Sequence, residues 1–359
     1  MSANPPLTLS IDTLAFGGEG IGRAEGRVYF VPFTAPGDEV EVRVTTLKKN
    51  FGRAEVVRVV KAGPARQAAP CPYYGPCGGC QYQHLTYEEE LRAKQAQVAE
   101  TLRRVGKVEA PVDPIVPSPQ AYGYRNRITV HAGQGRLGFH RAGSREIVDV
   151  AHCLLAAPEV NDALTDLRRK KPRPAEGHFS LRMPDLPPSA FHQVNRFLLE
   201  PLRDLVAAQA AATDAPHLVE GYCGGGFFTE ALAAGRARAW AIEADGRALR
   251  DARRRQLPQV EWIEGKVEDR LAEALAAAAS APALVLLDPP REGLAPGALE
   301  ALRAGASGVA RAVYVSCDPA TLARDLAGLS SVFRVERVVP VDLFPRTAQV
   351  EAVAVLAPV

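Results

Sequence analysis

The stretch Leu218-Val-Glu-Gly-Tyr-Cys-Gly-Gly-Gly-Phe-Phe228 decides the fold of this chain. It reads as an apolar strand, a glycine turn and the start of a helix, an order that brings backbone N–H groups and a helix N-terminus close to a ligand. Glu243 follows seventeen residues after Gly226 and closes the next apolar segment, Ala237 to Glu243. A carboxylate there can accept hydrogen bonds from both hydroxyls of a ribose. Loop and acid together suit either a dinucleotide or S-adenosylmethionine. The G-x-G-x-x-G spacing of dinucleotide sites is missing from the loop, which shifts weight to the methyl donor.

Outward from this loop, apolar segments alternate with Ala- and Leu-rich helical ones. They run from His217 to Tyr222, Ala237 to Glu243, Val260 to Ile263, Leu284 to Asp288 and Ala312 to Ser316. The pattern predicts βαβ units and a doubly wound parallel sheet with ligands at the carboxyl ends of its strands. Val313-Tyr-Val-Ser-Cys-Asp-Pro319 places Cys317 at such an end, although an isolated thiol there is more often inert. Leu284-Val-Leu-Leu-Asp-Pro-Pro-Arg291 places Asp288 at another, before a rigid Pro-Pro corner that suits the wall of a flat-base pocket. A thiolate adding to carbon 6 of uracil turns the ring into an enolate able to take a methyl group at carbon 5. A carboxylate must then remove the carbon 5 proton, and Glu351, in Phe344-Pro-Arg-Thr-Ala-Gln-Val-Glu351, offers one.

Toward the N-terminus, residues 1–61 read as short strands separated by Gly-rich and Pro-Gly turns, a pattern that predicts a small β-barrel. Between Val42 and Lys61, six basic residues (Arg43, Lys48, Lys49, Arg53, Arg58, Lys61) stand against the single acid Glu55, with Phe51 among them. That strip suits either an RNA-facing surface or an ordinary solvated face. A Cys-, Gly- and Pro-rich loop occupies 62–81, and Tyr87 to Val105 predicts an amphipathic helix. A strand is expected at Asn126 to Ala132, and a connector from Arg168 to Pro188. The expected division is 1–61, 62–188 and 189–359.

An apolar fraction of 47% over 359 residues is ample for two or three cores. The N-terminal residues lack a basic segment followed by an apolar run, and the most apolar stretch, Leu271 to Leu287, is interrupted by Glu273 and Pro282. A soluble cytoplasmic protein is expected, with no membrane partner. A net charge of +2 neither announces nor excludes nucleic acid. Six cysteines are too sparse for a secreted disulfide scaffold and point to metal or catalytic use in a reducing compartment. Cys71, Cys77 and Cys80 form C-x5-C-x2-C, and Cys153 follows after 72 intervening residues. Four thiolates of this kind suit zinc or an iron–sulfur cluster, and spacing alone leaves both open.

Taken together, Phe191-His-Gln-Val-Asn195, Tyr222-Cys-Gly-Gly-Gly226, Asp288-Pro-Pro-Arg291, Ser316-Cys-Asp-Pro319 and Phe344-Pro-x-Thr-x-x-Val-Glu351 resemble the motifs of the RNA uridine-5 methyltransferases, in order and nearly end to end. The resemblance implies an α/β fold. A Rossmann-like class I S-adenosylmethionine-dependent methyltransferase domain would follow a TRAM-type, OB-like barrel and a cluster-bearing central subdomain. It implies Cys317 as nucleophile and Glu351 as proton acceptor, with Gln193, Tyr222, Glu243 and Asp288 around S-adenosylmethionine. Read in isolation, Gln193 equally suits a polar cap and Tyr222 a core aromatic. The resemblance also implies a [4Fe-4S] cluster on Cys71, Cys77, Cys80 and Cys153, with zinc the lesser alternative. RNA is the implied partner, 23S ribosomal RNA first and transfer RNA second, and a monomer is expected. A noncatalytic RNA-binding or ribosome-assembly protein is the competing class. Ser316 ahead of Cys317, where cytosine-5 enzymes commonly carry Pro, favours uracil as the target. Two positions depart from the family pattern: Phe227, where Asn is frequent, and Arg346, where His or Gln is. The second is expected to alter RNA contact rather than chemistry.

Overall fold

The computed structural model describes residues 7–170, 176–186 and 193–359. It divides into two compact units. The first comprises 1–97, 120–184 and 344–349, and the second 98–119, 185–343 and 350–359. The expected boundary at 188 and the Phe191-His pair of the first family motif lie outside the described residues.

In the first unit, β1 (Leu7–Leu14), β2 (Gly20–Ala24), β3 (Arg27–Val31), β4 (Glu39–Leu47) and β5 (Phe51–Lys61) close into a barrel in the order β1-β2-β3-β5-β4. Period-two alternation sends Leu9, Ile11, Tyr29, Val31, Val40, Val42 and Ala54 inward as one core. Closure removes the open edges that short strands would otherwise expose. Helix α1 (Tyr87–Thr101) follows, and its continuation from Leu102 to Gly106 widens into a π turn, so the expected helix forms but changes register over its last residues. A four-stranded antiparallel sheet comes next, from β6 (Arg127–Gly133), β7 (Arg136–His140), β8 (Ile147–Asp149) and, after helix α2 (Pro158–Arg169), β9 (Gly177–Arg182), in the order β8-β7-β6-β9. Val160, Leu164 and Leu167 of α2 pack on Ile128 and Val130. Strand β9 corrects the expected connector. Its core face holds only Phe179 and Leu181, and the polar, Pro-rich flanks hid that alternation.

The second unit runs α3 (Leu199–Ala210), β10 (His217–Gly221), α4 (Thr229–Leu232), β11 (Arg238–Glu243), α5 (Gly246–Arg253), β12 (Val260–Glu264), α6 (Val267–Ala278), β13 (Ala283–Leu287), α7 (Pro296–Ala304), β14 (Val309–Ser316), α8 (Pro319–Leu329), β15 (Phe333–Val341) and β16 (Glu351–Pro358). The sheet order is β12-β11-β10-β13-β14-β16-β15. Strands β10 to β14 are parallel, as expected, but β16 inserts antiparallel to both β14 and β15, so the sheet is mixed. Residues 351–357 are all buried, and a strand covered on both faces loses the alternation that would have revealed it. The order reverses between β10 and β13, the switch point at which doubly wound sheets open a crevice. Among the described residues, no helix is long and apolar enough to cross a membrane.

Candidate active site

The residues around the switch point come from neighbouring strand ends. Gly221 pairs with Ile242 on one side and Leu287 on the other, so Tyr222, Glu243 and Asp288 emerge at one level. The intervening turn needs left-handed backbone at Gly224 (φ 53°) and Gly226 (φ 76°). At Gly226 a Cβ would also crowd its neighbours, standing 3.0 Å from the Trp262 ring and 3.1 Å from the Arg255 side chain. Glu243 fastens the turn: one carboxyl oxygen accepts the Gly224 N–H at 2.8 Å and the other the Asp245 N–H at 2.7 Å. A carboxylate has about four lone-pair sites, so acceptor capacity for a ribose remains. Tyr222 holds φ 64° and packs its ring partly against the sheet core. Burial, and then the Glu268 charge, push its phenol up to about 12. Gln193 is buried, and Asn195 of the same motif donates to Ser118 at 3.0 Å while accepting the Phe197 N–H. Phe227 stacks edge-on against the buried Phe228 at 4.7 Å, which gives the first departure from the family pattern an aromatic neighbour.

Cys317 and Glu351 meet through strand register. The β14–β16 ladder ends by pairing Ser316 with Ala352, and one step beyond stand Cys317 and Glu351. Asp318 caps α8 by accepting the Ala320 and Thr321 N–H groups at 2.8 and 3.1 Å, which fixes the turn carrying the thiol. Glu351 is 2% exposed. Burial, then the Asp288 charge, raise its carboxyl well above the usual range, and Arg291 opposes them. Burial also lifts Asp288 to about 7, because its carboxyl is enclosed by protein although the residue as a whole is partly exposed. The Cys317 thiol is pushed up to about 12 by burial and by Glu351; Arg291 lowers it and Asp288 adds to the rise. A thiol and two proton-hungry carboxyls, all shifted by burial, therefore stand together with the exposed Arg291 acting on the thiol and on Glu351 through its charge, an arrangement suited to moving protons at a nucleophile.

Two charged residues here carried no role in the sequence reading. Arg291 was only the last letter of Asp288-Pro-Pro-Arg291, yet it is the cation acting on both Cys317 and Glu351. Glu220, one residue before Gly221 on β10, is fully enclosed; burial raises it to about 8, and its Oε2 has no hydrogen-bond partner among the described residues. An acid inside an otherwise apolar strand was the available signal for it.

In the first unit, all four cysteines Cys71, Cys77, Cys80 and Cys153 line one cavity of about 60 Å³. Among the described residues, no three His, Cys, Asp or Glu side chains are grouped as they would be around a metal ion; the four thiols instead share the cavity wall. The walls are otherwise largely apolar, with Ile128, Phe139, Val150 and Leu155, and they include the Arg125 side chain. Asn161 of α2 holds Cys153 in place, accepting its N–H at 2.9 Å and donating to its carbonyl at 3.0 Å. Gly78, beside Cys77, donates to the His140 carbonyl at 3.0 Å, and a Cβ there would collide with the Ala142 backbone. Burial raises the Cys80 thiol to about 12.

The basic strip of the barrel is largely neutralised. Arg43 pairs with Glu55, Arg53 with Glu19, Arg58 with Glu41 and Lys61 with Glu39, which leaves Lys48 and Lys49 as the strip's cations outside such pairs among the described residues. The window of the sequence reading held one acid; strand pairing brought in three more. Phe51 and Phe30 stand edge to face at 5.8 Å, with the Arg53 guanidinium 5.8 Å from the Phe30 ring.

Arg346 corrects the expectation of an RNA contact. It is 5% exposed, and its guanidinium stands 5.2 Å from the ring centres of both Tyr87 and Tyr122. It donates to the Leu85 carbonyl at 2.9 Å and pairs with Glu90, itself bound to the buried Lys94. The position serves the interior of the first unit.

Comparisons with known proteins agree with this architecture. The TRAM domain profile matches residues 7–57, and that of the tRNA (uracil-5-)-methyltransferases matches 269–358. An RNA methyltransferase of Bdellovibrio bacteriovorus is 34% identical over 98% of this chain and 94% of its own length. One from Aquifex aeolicus is 29% identical over 98% of each. Among solved structures, the Pyrococcus abyssi tRNA (uracil-54, C5)-methyltransferase in complex with S-adenosyl-L-homocysteine superposes with a TM-score of 0.69 at 24% identity, covering 98% of this chain and all of that one.

Proposed function

The chain belongs to the TRAM-bearing RNA (uracil-5-)-methyltransferases, and from that premise we propose that it methylates carbon 5 of a uridine in 23S ribosomal RNA through a covalent bond between Cys317 and the base. The observation that carries the reading is the register of β14 on β16, which brings Cys317 and Glu351 to adjacent strand ends beside Asp288 and Arg291.

The Cys317 thiol first loses its proton to solvent, and the thiolate then adds to carbon 6 of the uracil while the ring electrons move toward oxygen 4. Arg291 favours the thiolate through its charge. S-adenosylmethionine, when bound, supplies the methyl group that carbon 5 takes. The Glu351 carboxylate then accepts the carbon 5 proton, the electrons of that C–H bond restore the ring double bond, and the carbon 6–sulfur bond breaks to return the thiolate. A target base in folded RNA must first leave its stack to reach a strand-end thiol.

For the cofactor, the turn 222–226 offers backbone N–H groups, Glu243 a carboxylate for the ribose, and Asp288, Gln193 and Tyr222 the remaining surround. The Pyrococcus enzyme with the same fold is bound to S-adenosylhomocysteine, the product form of this donor. For Cys71, Cys77, Cys80 and Cys153 we propose a [4Fe-4S] cluster. An all-thiol donor set on one apolar cavity wall fits it, and the Arg125 guanidinium offsets the negative charge of a thiolate-ligated cluster. Zinc is the lesser alternative. Iron and acid-labile sulfide in anaerobically purified protein, both absent from Cys153→Ser, would distinguish the two.

We place the enzyme in the cytoplasm as a monomer, with functional parts at 1–61, 62–188 and 189–359. The combination of barrel and four cysteines favours 23S ribosomal RNA; a transfer-RNA uridine is the second reading, favoured by the transfer-RNA family profile over 269–358. Mapping 5-methyluridine across total RNA of a deletion strain tests the choice: a site lost from 23S RNA supports the proposal, and one lost only from transfer RNA replaces it. A noncatalytic RNA-binding protein would show no heat of S-adenosylmethionine binding in calorimetry.

A further inference from the structure

The glycine turn of the cofactor site has a fastening that no step above uses. Gly224, Gly225 and Gly226 stand in a row, and glycine loses more conformational freedom on being fixed than any other residue. A turn left loose takes that cost out of its affinity for whatever it binds. Part of the fixing is local: the Gly226 N–H donates to the Cys223 carbonyl at 2.9 Å, and the Cys223 N–H to the Ile242 carbonyl at 3.0 Å. Gly224 is held by Glu243, the same carboxylate that the ribose would engage. The Gly225 carbonyl is held from farther along the chain, by Arg255, whose Nε donates to it at 2.8 Å.

Arg255 stands just beyond α5, where Gln256 in left-handed backbone (φ 54°) ends the helical path. Its guanidinium also pairs with Glu230 in the first turn of α4. The Glu230 N–H in turn donates to the Gly226 carbonyl at 3.3 Å. One side chain thus spans the turn and the helix that follows it, bridging past Phe227 and Phe228. A Cβ on Gly226 would stand 3.1 Å from Arg255 Cδ and Nε, so the arginine lies against the turn as well as bonded to it. The other two arginines of the run 253–255 go elsewhere. Arg253 donates to the Trp262 carbonyl at 3.3 Å, and Arg254 pairs with Asp251 at 3.0 Å. Arg255 is 30% exposed against 79% for Arg254, as a side chain drawn inward to the site would be. Its charge also acts on the enclosed Glu220 at the end of β10.

We propose that Arg255, oriented by Glu230, is a positioning residue for the methyl donor: it fixes the Gly225 carbonyl and sets the turn before S-adenosylmethionine arrives. Glu243 can then divide its oxygens between the turn and the ribose without releasing the glycines. The inference rests on the turn 222–226 as the donor site and adds what keeps that site in shape. A pre-set turn favours the bound donor and the transition state equally, so its loss belongs in KM for the donor rather than in kcat.

The test is titration of the full chain with S-adenosylmethionine in a calorimeter, together with methyl-transfer kinetics. Arg255→Gln should weaken donor binding about tenfold, the order of one charge-assisted hydrogen bond. The donor KM should rise by a like factor, with kcat at saturating donor unchanged. Hydrogen exchange of the donor-free variant should quicken over 222–228 and stay at the wild-type rate over β13 and β14. Glu230→Gln leaves the Gly225 bond but loosens the guanidinium, and a loss of about threefold is expected. Because Glu230 acts through Arg255, the double variant should match Arg255→Gln within about twofold. Wild-type donor affinity in Arg255→Gln, additive losses in the double variant, or a lowered kcat with KM unchanged would overturn the proposal. Should Arg255→Gln not fold, the half-exposed Glu230→Gln decides alone, its unchanged donor affinity counting against the proposal and its loss for it. No heat of binding by the wild-type chain would sink the cofactor reading itself.

Discussion

The Tyr314 hydroxyl donates a 2.7 Å hydrogen bond to Asp325 Oδ2, an oxygen that also accepts the Leu294 N–H at 2.7 Å. Arg324 holds the second carboxyl oxygen at 2.8 Å and the Glu292 carbonyl at 2.8 Å. Asp325 thus ties β14, two residues before Ser316, to the turn that follows Arg291. Asp325→Ala is expected to cost about 3 kcal/mol, since two buried donors lose a charged acceptor, and Tyr314→Phe about 1 kcal/mol. Urea unfolding measures both, and equal costs would remove Asp325 from the centre of this contact.

With its thiol held at about 12 by burial and Glu351, Cys317 is protonated at neutral pH. Below that value the thiolate fraction grows about tenfold per pH unit. Iodoacetamide alkylation of Cys317, followed by peptide mass spectrometry, should therefore climb through about pH 7 to 9 without levelling. A plateau near neutrality would contradict the description of this corner.

His84 makes a 2.9 Å hydrogen bond through Nε2 to the Thr34 carbonyl and one of 2.6 Å through Nδ1 with the Tyr74 hydroxyl. Burial lowers it to about 4. Because the unfolded chain takes up this proton near pH 6.5 and the folded one only near 4, the histidine's contribution to stability is present above pH 6.5 and lost as pH falls through 4. Urea midpoints should fall over that window more steeply in the wild type than in His84→Gln. Parallel slopes would show that another group governs the loss.

Arg346→Ala should destabilise the first unit by about 3 kcal/mol, because the buried Glu90 loses one of its two cations, the Leu85 carbonyl its donor, and Tyr87 and Tyr122 the guanidinium against their rings. The salt dependence of RNA binding should not change. A lowered slope with stability intact would restore the RNA-contact reading of this position.

Much of the molecule was legible in its sequence for a physical reason: wherever one face is buried, period and turn chemistry show. The barrel, α1, the five parallel strands and the glycine turn all fall where alternation and turn residues put them. What escaped depends on strand neighbours. Residues 351–357 of β16 are buried, and only its insertion beside β14 makes Glu351 a neighbour of Cys317. The family motif had named both residues, but spacing along the chain could not have. The partners of Arg43, Arg53, Arg58 and Lys61 escaped similarly, since Glu19, Glu39 and Glu41 fall outside the window where the basic residues cluster. Arg346 misled because a charged residue in a terminal motif reads as surface until two tyrosines and Glu90 are seen around it.

The most direct test of the covalent mechanism is denaturing electrophoresis of Glu351→Gln incubated with substrate RNA and S-adenosylmethionine. Without a base to take the carbon 5 proton, the sulfur–carbon 6 bond should persist and a protein–RNA band accumulate, and Cys317→Ala in the same background should remove it. No band from Glu351→Gln, or full methyl transfer by Cys317→Ala alone, would contradict the account.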